Sequence, residues 1–373
     1  MGREALRSAS MTATLALLTV VFAAASPQFL GSRNLSMLTI ELSITATLAL
    51  GMLLVILPGH IDLSAGSGVG LLGGIASVLI FHRSWPAPAA MAVSLALGVA
   101  VWALMGSVIV RERMPAFIVT LGGLLVFKGI FWLVIENATV PVVTGGGQNL
   151  YSLLTTYYLP RWAGWLLAAA CAGAYAWAAS ADCVRRREAG LETESGEAYF
   201  LKAFVVAQGL ALFALVMNQF RGVPLPAVVL GLTALAVTVL IEATPFGRHL
   251  YAIGGNEEAA LVSGVPVERT VIIAFTLMGA VAAVTGLLQT AYAGASTTTV
   301  GELMELDAVA ACVIGGVSLK GGRGSSLGVL FGALIMATLL NGMTLLAVSP
   351  EYKLIARGSV LALAVWLDVR LSR

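Results

Sequence analysis

Apolar runs long enough to cross a bilayer recur from one end of this chain to the other, and they restrict its fold severely. Inside hydrocarbon no water pairs with backbone N–H and C=O groups, so a spanning run must be a helix or a strand of a closed barrel. Runs of about 20 residues, rather than about 10, select helices. We read such runs at 11–30, 37–57, 67–82, 88–110, 115–135, 162–180, 203–219, 225–242, 270–292, 308–318, 325–347 and 354–368. The run 308–318 is too short to cross alone and reads as a half-helix or re-entrant piece. The expected fold is all-α: a polytopic bundle of 10–12 transmembrane helices with broken or half helices, residues 1–373 forming one membrane domain. Composition agrees. Charged residues are 11% of the chain, against roughly 25% in soluble domains. A net charge of +2 gives no reason to expect nucleic acid.

The N-terminus carries Arg3 and Arg7, an apolar stretch, and an Ala23-Ala24-Ala25 string that resembles a cleavage site. The apolar run continues past Pro27 to Leu30, so we expect an uncleaved first transmembrane helix. Lys and Arg then set the orientation. With the N-terminus inside, fourteen fall on the cytoplasmic side and six opposite, while Lys128 lies within a span. Both termini are expected on the cytoplasmic side, as are two polar segments. One is 181–202, where Arg185-Arg186-Arg187 precedes Glu188, Glu192, Glu194 and Glu197 and reads as a solvated loop.

The other is 244–269, TPFGRHLYAIGGNEEAALVSGVPVER, within which a short helix is fully specified. Asn256 suits its N-cap, and Glu257 and Glu258 suit the positive end of its dipole. Gly264 stands where a left-handed residue would end it, and Pro266 forbids continuation. Ala259, Ala260 and Ser263 share one small face, which we expect to dock on a partner outside the membrane, with the two glutamates contributing little.

Residues with chemistry are sparse. Cys171, Cys183 and Cys312, like His60, His82 and His249, lack metal-ligand spacing, and the cysteines are expected to pack between helices. No catalytic constellation converges, so neither an enzyme nor a metal site is expected. Gly68-x-Gly70-x-x-Gly73 matches a dinucleotide fingerprint as a string, but lies in an apolar run. Together with Gly66 and Gly74 it reads as a surface for close helix packing. No Gly-x4-Gly-Lys-Ser/Thr string occurs, so any ATP and Mg²⁺ would be bound by a separate subunit. Glu41, Lys128 and, at span edges, Asp62, Glu242 and Asp307 are the ionisable groups at membrane depth, candidates for function by default. Asp62 lies in a stretch that Pro58, Gly59 and Gly66 must interrupt, so Asp62, Ser64 and Ser67 are placed either to satisfy freed backbone groups or to meet a polar solute. We take these three, with Asn341, as translocation-path candidates. Gly59-x3-Leu63-x2-Gly66-x-Gly68 recurs as Gly315-x3-Leu319-x2-Gly322-x-Gly324, which suggests an internal pseudo-repeat flanking a transport path.

Four ordered stretches carry a resemblance. They are GHIDLSAGS at Gly59–Ser67, with His60 and Ala65 as departures; RERMPAFIVTLG at Arg111–Gly122; FGRHLYAIGGNEEAALVSG at Phe246–Gly264; and ELDAVAACVIGG at Glu305–Gly316, followed by Ser318-Leu319-x-Gly321-Gly322-x-Gly324-Ser325. On these the chain resembles the permease subunit of bacterial ABC importers for monosaccharides, the ribose/xylose/galactose group, over roughly residues 33–369. Arg221-Gly222-Val223-Pro224, Val267-Glu268-Arg269-Thr270 and the extra span pair around 182–202 make it look most like the xylose permease. The resemblance implies a homodimer in the inner membrane, a cytoplasmic ATPase subunit, a periplasmic sugar-binding protein and a monosaccharide moved by alternating access. It makes 244–269 the coupling loop, with Gly247, Arg248, Tyr251, Gly254, Asn256, Glu258, Ala259, Ala260, Ser263 and Gly264 its ATPase-facing residues. The alternative is an ion-coupled secondary sugar transporter, which would usually show a chain of intramembrane carboxylates; here there are one or two.

Overall fold

The computed structural model describes residues 3–190 and 196–371. Helices α1 (Arg3–Ala25), α2 (Ser32–Ile56), α3 (Ala65–Phe81), α4 (Ala87–Arg111) and α5 (Ala116–Val134) come first. Strand β1 (Val140–Pro141) and the short α6 (Leu150–Thr156) lead to α7 (Arg161–Glu188), α8 (Gly196–Phe220) and α9 (Leu225–Ala243). Two short helices, α10 (Pro245–Gly255) and α11 (Glu257–Val262), precede α12 (Val267–Ala293). The chain ends with β2 (Ala295–Ser296), α13 (Met304–Ile314), α14 (Ser326–Leu345) and α15 (Pro350–Leu371). Each apolar run in the sequence is represented by a helix. Among the described residues, α2, α4, α5, α7, α8, α9, α12 and α14 are long and apolar enough to cross a membrane. This is a multi-pass, all-α membrane protein.

Helix α2 is the central post. It is apolar on every side and buried continuously from Ala46 to Leu57, as a helix without a polar face must be. Helices α8, α9, α12, α13 and α14 pack around it, and α12 in turn packs on α3 and α4. The glycines of α3 make this closeness possible. The Trp102 ring of α4 lies on Gly68, the Phe131 ring of α5 on Gly70 and Gly74, and the Gly286 backbone of α12 on Gly73. A methyl group at any of these positions would collide, so the row serves helix approach and not a nucleotide.

Several boundaries differ from the sequence expectation. Helix α1 ends at Ala25 rather than running to residue 30, because Pro27 disfavours helical backbone at Ser26. The polar segment 181–202 is largely helical: α7 continues to Glu188 with Asp182 and Arg186 paired one turn apart (2.8 Å), and α8 begins at Gly196. Of its acids, Glu192 and Glu194 lie outside the described residues. Residues 135–160 fold into a cap with its own helix, whose Asn149 and Ser152 form a capping box and whose Tyr151 hydroxyl donates to Gly73 O (2.9 Å). Of the three cysteines only Cys312 is buried, beside Ala49 O, whereas Cys171 is exposed.

The short run near 308–318 is an 11-residue helix, Met304–Ile314. Before it, left-handed Gly294 ends α12, and Ala295–Ser296 pairs antiparallel with Val140–Pro141. The chain then descends along α3, with Ser296 beside Gly74, Val300 beside Gly70 and Gly301 beside Gly66. It is an arm laid against α3 that leads into α13, whose far end, through Gly322, reaches Leu57 and Gly254 at the opposite end of the bundle.

Candidate functional site

The segment 244–269 is more ordered than a loop with one helix. Thr244 caps α10 by accepting from the Gly247 N–H (3.4 Å), and Gly247 is required because a Cβ would fall on the Ile241 backbone. Asn256 caps α11 through the Ala259 N–H (2.9 Å), as its sequence predicts. Gly264 ends it at φ +82°, the left-handed value expected. Where the faces point was not legible. Ala260 is only 4% exposed and packs into the main core with Val265 and Val267, so it cannot belong to an outward docking face. The exposed apolar groups are Leu261 and Val262, at 63% and 89%, beside exposed Glu258, Ala259 and Ser263. The bundle beneath decides which face turns inward. A helix of six residues has no independent stability, so it depends on packing one side against its own bundle, and that side carries Ala260.

Inward from this helix pair lies a contact of three loops. Gly254 meets the Leu57 carbonyl on one side and the Gly322 amide on the other, both so close that no Cβ fits. Those two groups bond to each other, Gly322 N–H donating to Leu57 O (2.9 Å). Tyr251 donates from its hydroxyl to Gly324 O (2.9 Å). Burial pushes this phenol above its ordinary range, with Glu242 adding to the effect, so it stays a donor at neutral pH. The two glycine-rich repeats therefore share one end of the bundle, and 244–269 touches both.

From Leu57 the chain leads directly to Asp62, which is fully buried. One carboxylate oxygen accepts from the Ser64 N–H (2.8 Å) and hydroxyl (2.6 Å), and the other accepts from the Trp102 indole N–H (2.6 Å). A buried carboxylate persists only when donors replace its water, and here three do. Asp62 and Ser64 thus organise the start of α3, with no surface left for a solute, and leave the set of path candidates. Ser67, one turn further, faces a cleft of about 520 Å³ together with Lys128, Glu302 and Glu305. Asn341 belongs to a different network: it donates to Glu41 (3.2 Å) and accepts from Asn34 (2.9 Å), while Tyr292 donates to the other Glu41 oxygen (3.0 Å). Asp307 of α13 pairs with Arg357 of α15 (3.4 Å).

Residues 34–365 match the family model described as branched-chain amino acid transport system / permease component. The chain belongs to that family. The permease is 40% identical to the xylose transport system permease protein of Escherichia coli over 344 residues, 91% of this chain and 86% of the relative. It is 38% identical to the xylose transport system permease protein of Haemophilus influenzae, over 96% of this chain and 95% of the relative. Identity to the ribose import permease protein of Escherichia coli is 33%, over 96% and 92%. No solved structure matches the permease. These relatives are of the ribose and xylose kind that the motifs resemble, and they are membrane permeases rather than enzymes.

Within the permease, the expected coupling residues separate into two groups. Gly247, Tyr251, Gly254 and Ala260 hold the segment on the bundle, whereas Arg248, Asn256, Glu258, Ala259, Ser263 and Gly264 are exposed. The four path candidates do not form one site. Sequence reasoning missed Glu302, Glu305 and Trp102. Glu305 and Glu302 stand three residues apart beside an apolar half-helix, a signal of the same kind that singled out Asp307.

Proposed function

We propose that this permease is the membrane-spanning subunit of an ATP-driven importer of monosaccharides, with D-xylose or a related pentose as its cargo. It works as a homodimer in the bacterial inner membrane with both termini in the cytoplasm. A periplasmic binding protein delivers sugar to one face, and a cytoplasmic ATPase, which carries ATP and Mg²⁺, grips the 244–269 helix pair on the other. The observation that carries the reading is the 40% identity to a xylose permease over 91% of the chain. The geometry supports it: exposed Leu261 and Val262 offer apolar anchors, and the contact of Gly254 with Leu57 and Gly322 links that surface to both interior loops. Motion at the helix pair reaches α3 through Asp62 and reaches α14 through Gly324, which is what alternating access requires.

The test is uptake of labelled D-xylose, ribose and leucine by cells lacking other pentose importers and producing the permease with its ATPase and binding protein. Xylose uptake that disappears when the ATPase is omitted is the expected result. Leucine uptake in place of pentose, or sugar accumulation by the permease alone on an ion gradient, would overturn the reading.

A further inference from the structure

The cleft beside Ser67 contains a group that the fold does not explain. It opens between α3, α5 and the arm that leads into α13, with Ser67, Lys128, Glu302 and Glu305 in its lining. At its buried end Glu305 is 6% exposed, and its Oε2 lies so close to Gly66 that a Cβ there would collide with it. Among the described residues its carboxylate has no hydrogen bond or ion pair to another residue. Asp62 shows what a carboxylate needs to be structural in this protein, and Glu305 lacks the side-chain donors, a serine hydroxyl and an indole N–H, that hold Asp62. A buried ionisable group of this kind at membrane depth is costly and marks a functional position.

The surroundings define what would complete it. Lys128 and Glu302 pair across 3.7 Å at the open end, half exposed, so the ammonium keeps donors to spare but its charge is already matched. Ser67 supplies a hydroxyl that both donates and accepts. The Glu305 carboxylate oxygens can accept from two hydroxyls, and Lys128 and Ser67 donate to ring or hydroxyl oxygens. With the Lys128 ammonium already matched by Glu302, no unpaired cation in the cleft awaits the carboxylate of an amino acid. We infer that the Ser67–Lys128–Glu302–Glu305 cleft is the permease's binding site for a neutral polyol, with Glu305 the acceptor of two sugar hydroxyls. This rests on the monosaccharide reading above and gives it a site.

The experiment uses the complete transporter in proteoliposomes, loaded with ATP and supplied with sugar-bound binding protein. Glu305→Gln lowers D-xylose uptake at least about tenfold and Ser67→Ala about threefold or more, while ATPase and permease still co-purify at wild-type yield. Where Glu305→Gln prevents assembly, a second measurement decides. Ser67→Cys, in a background with Cys171→Ser and Cys183→Ser, is labelled by a small methanethiosulfonate, and saturating D-xylose slows that labelling at least about threefold whereas leucine does not. Wild-type uptake by Glu305→Gln and Ser67→Ala, or labelling indifferent to sugar, would overturn the site while leaving the importer reading intact. Failure of the unaltered transporter to import any monosaccharide would instead remove the importer reading and the site with it.

Discussion

Replacing Gly254 by alanine tests whether the 244–269 helix pair is locked to the interior loops. The added methyl would fall on the Leu57 carbonyl oxygen and beside the Gly322 amide. Both obstacles are backbone, so neither can rotate away as a side-chain tip would. Relieving the overlap by displacement costs about 1–3 kcal/mol. The shift also opens the 2.9 Å Gly322 N–H···O Leu57 bond and leaves an enclosed donor and acceptor unpaired, a further ~1–3 kcal/mol. The total is about 2–6 kcal/mol. Gly255→Ala is the control, because that position has no atom within 4 Å of a Cβ and an alanine there improves helix propensity by up to ~1 kcal/mol. Thermal unfolding in detergent should fall on the order of 5 °C for Gly254→Ala and hold or rise for Gly255→Ala. ATP-dependent uptake should be lost only in the former. Equal melting temperature and uptake in the two variants would refute the three-loop contact.

Two further outcomes follow from the same helix pair. Gly264→Val meets no neighbour, so its whole penalty is the φ of +82°, about 1–3 kcal/mol; the permease should insert normally but retain less ATPase on co-purification, and undiminished retention would show that the helix end does not set the docking surface. Val262→Asp should abolish that co-purification, because an 89% exposed valine is the natural anchor, while Glu258→Gln leaves it within about twofold; the reverse ranking would mean that the partner reads charge.

Local chemistry accounts for what could be read early. Asn256 and Gly264 bound α11 because a cap depends only on residues within one turn, and the α3 glycines announced close packing because a missing Cβ is visible in the sequence itself. The orientation of α11 was not readable in this way. Ala259 and Ala260 are the same residue type, yet one is exposed and the other 4% exposed, and only the bundle beneath distinguishes them.

The sequence by itself determined that the chain crosses a membrane as helices, roughly where the long apolar helices lie, and which family it resembles. Run length, caps and ordered motifs are one-dimensional signals. Tertiary structure decided what each polar group at depth is for. Asp62 is satisfied by Trp102, 40 residues away, while Glu305 was brought against Gly66 without such a partner. In a soluble protein the amphipathic stripe would have shown which side of each helix faces inward. In lipid both sides are apolar, so the inward face, and with it the pairing of buried charges, is fixed only when the helices pack.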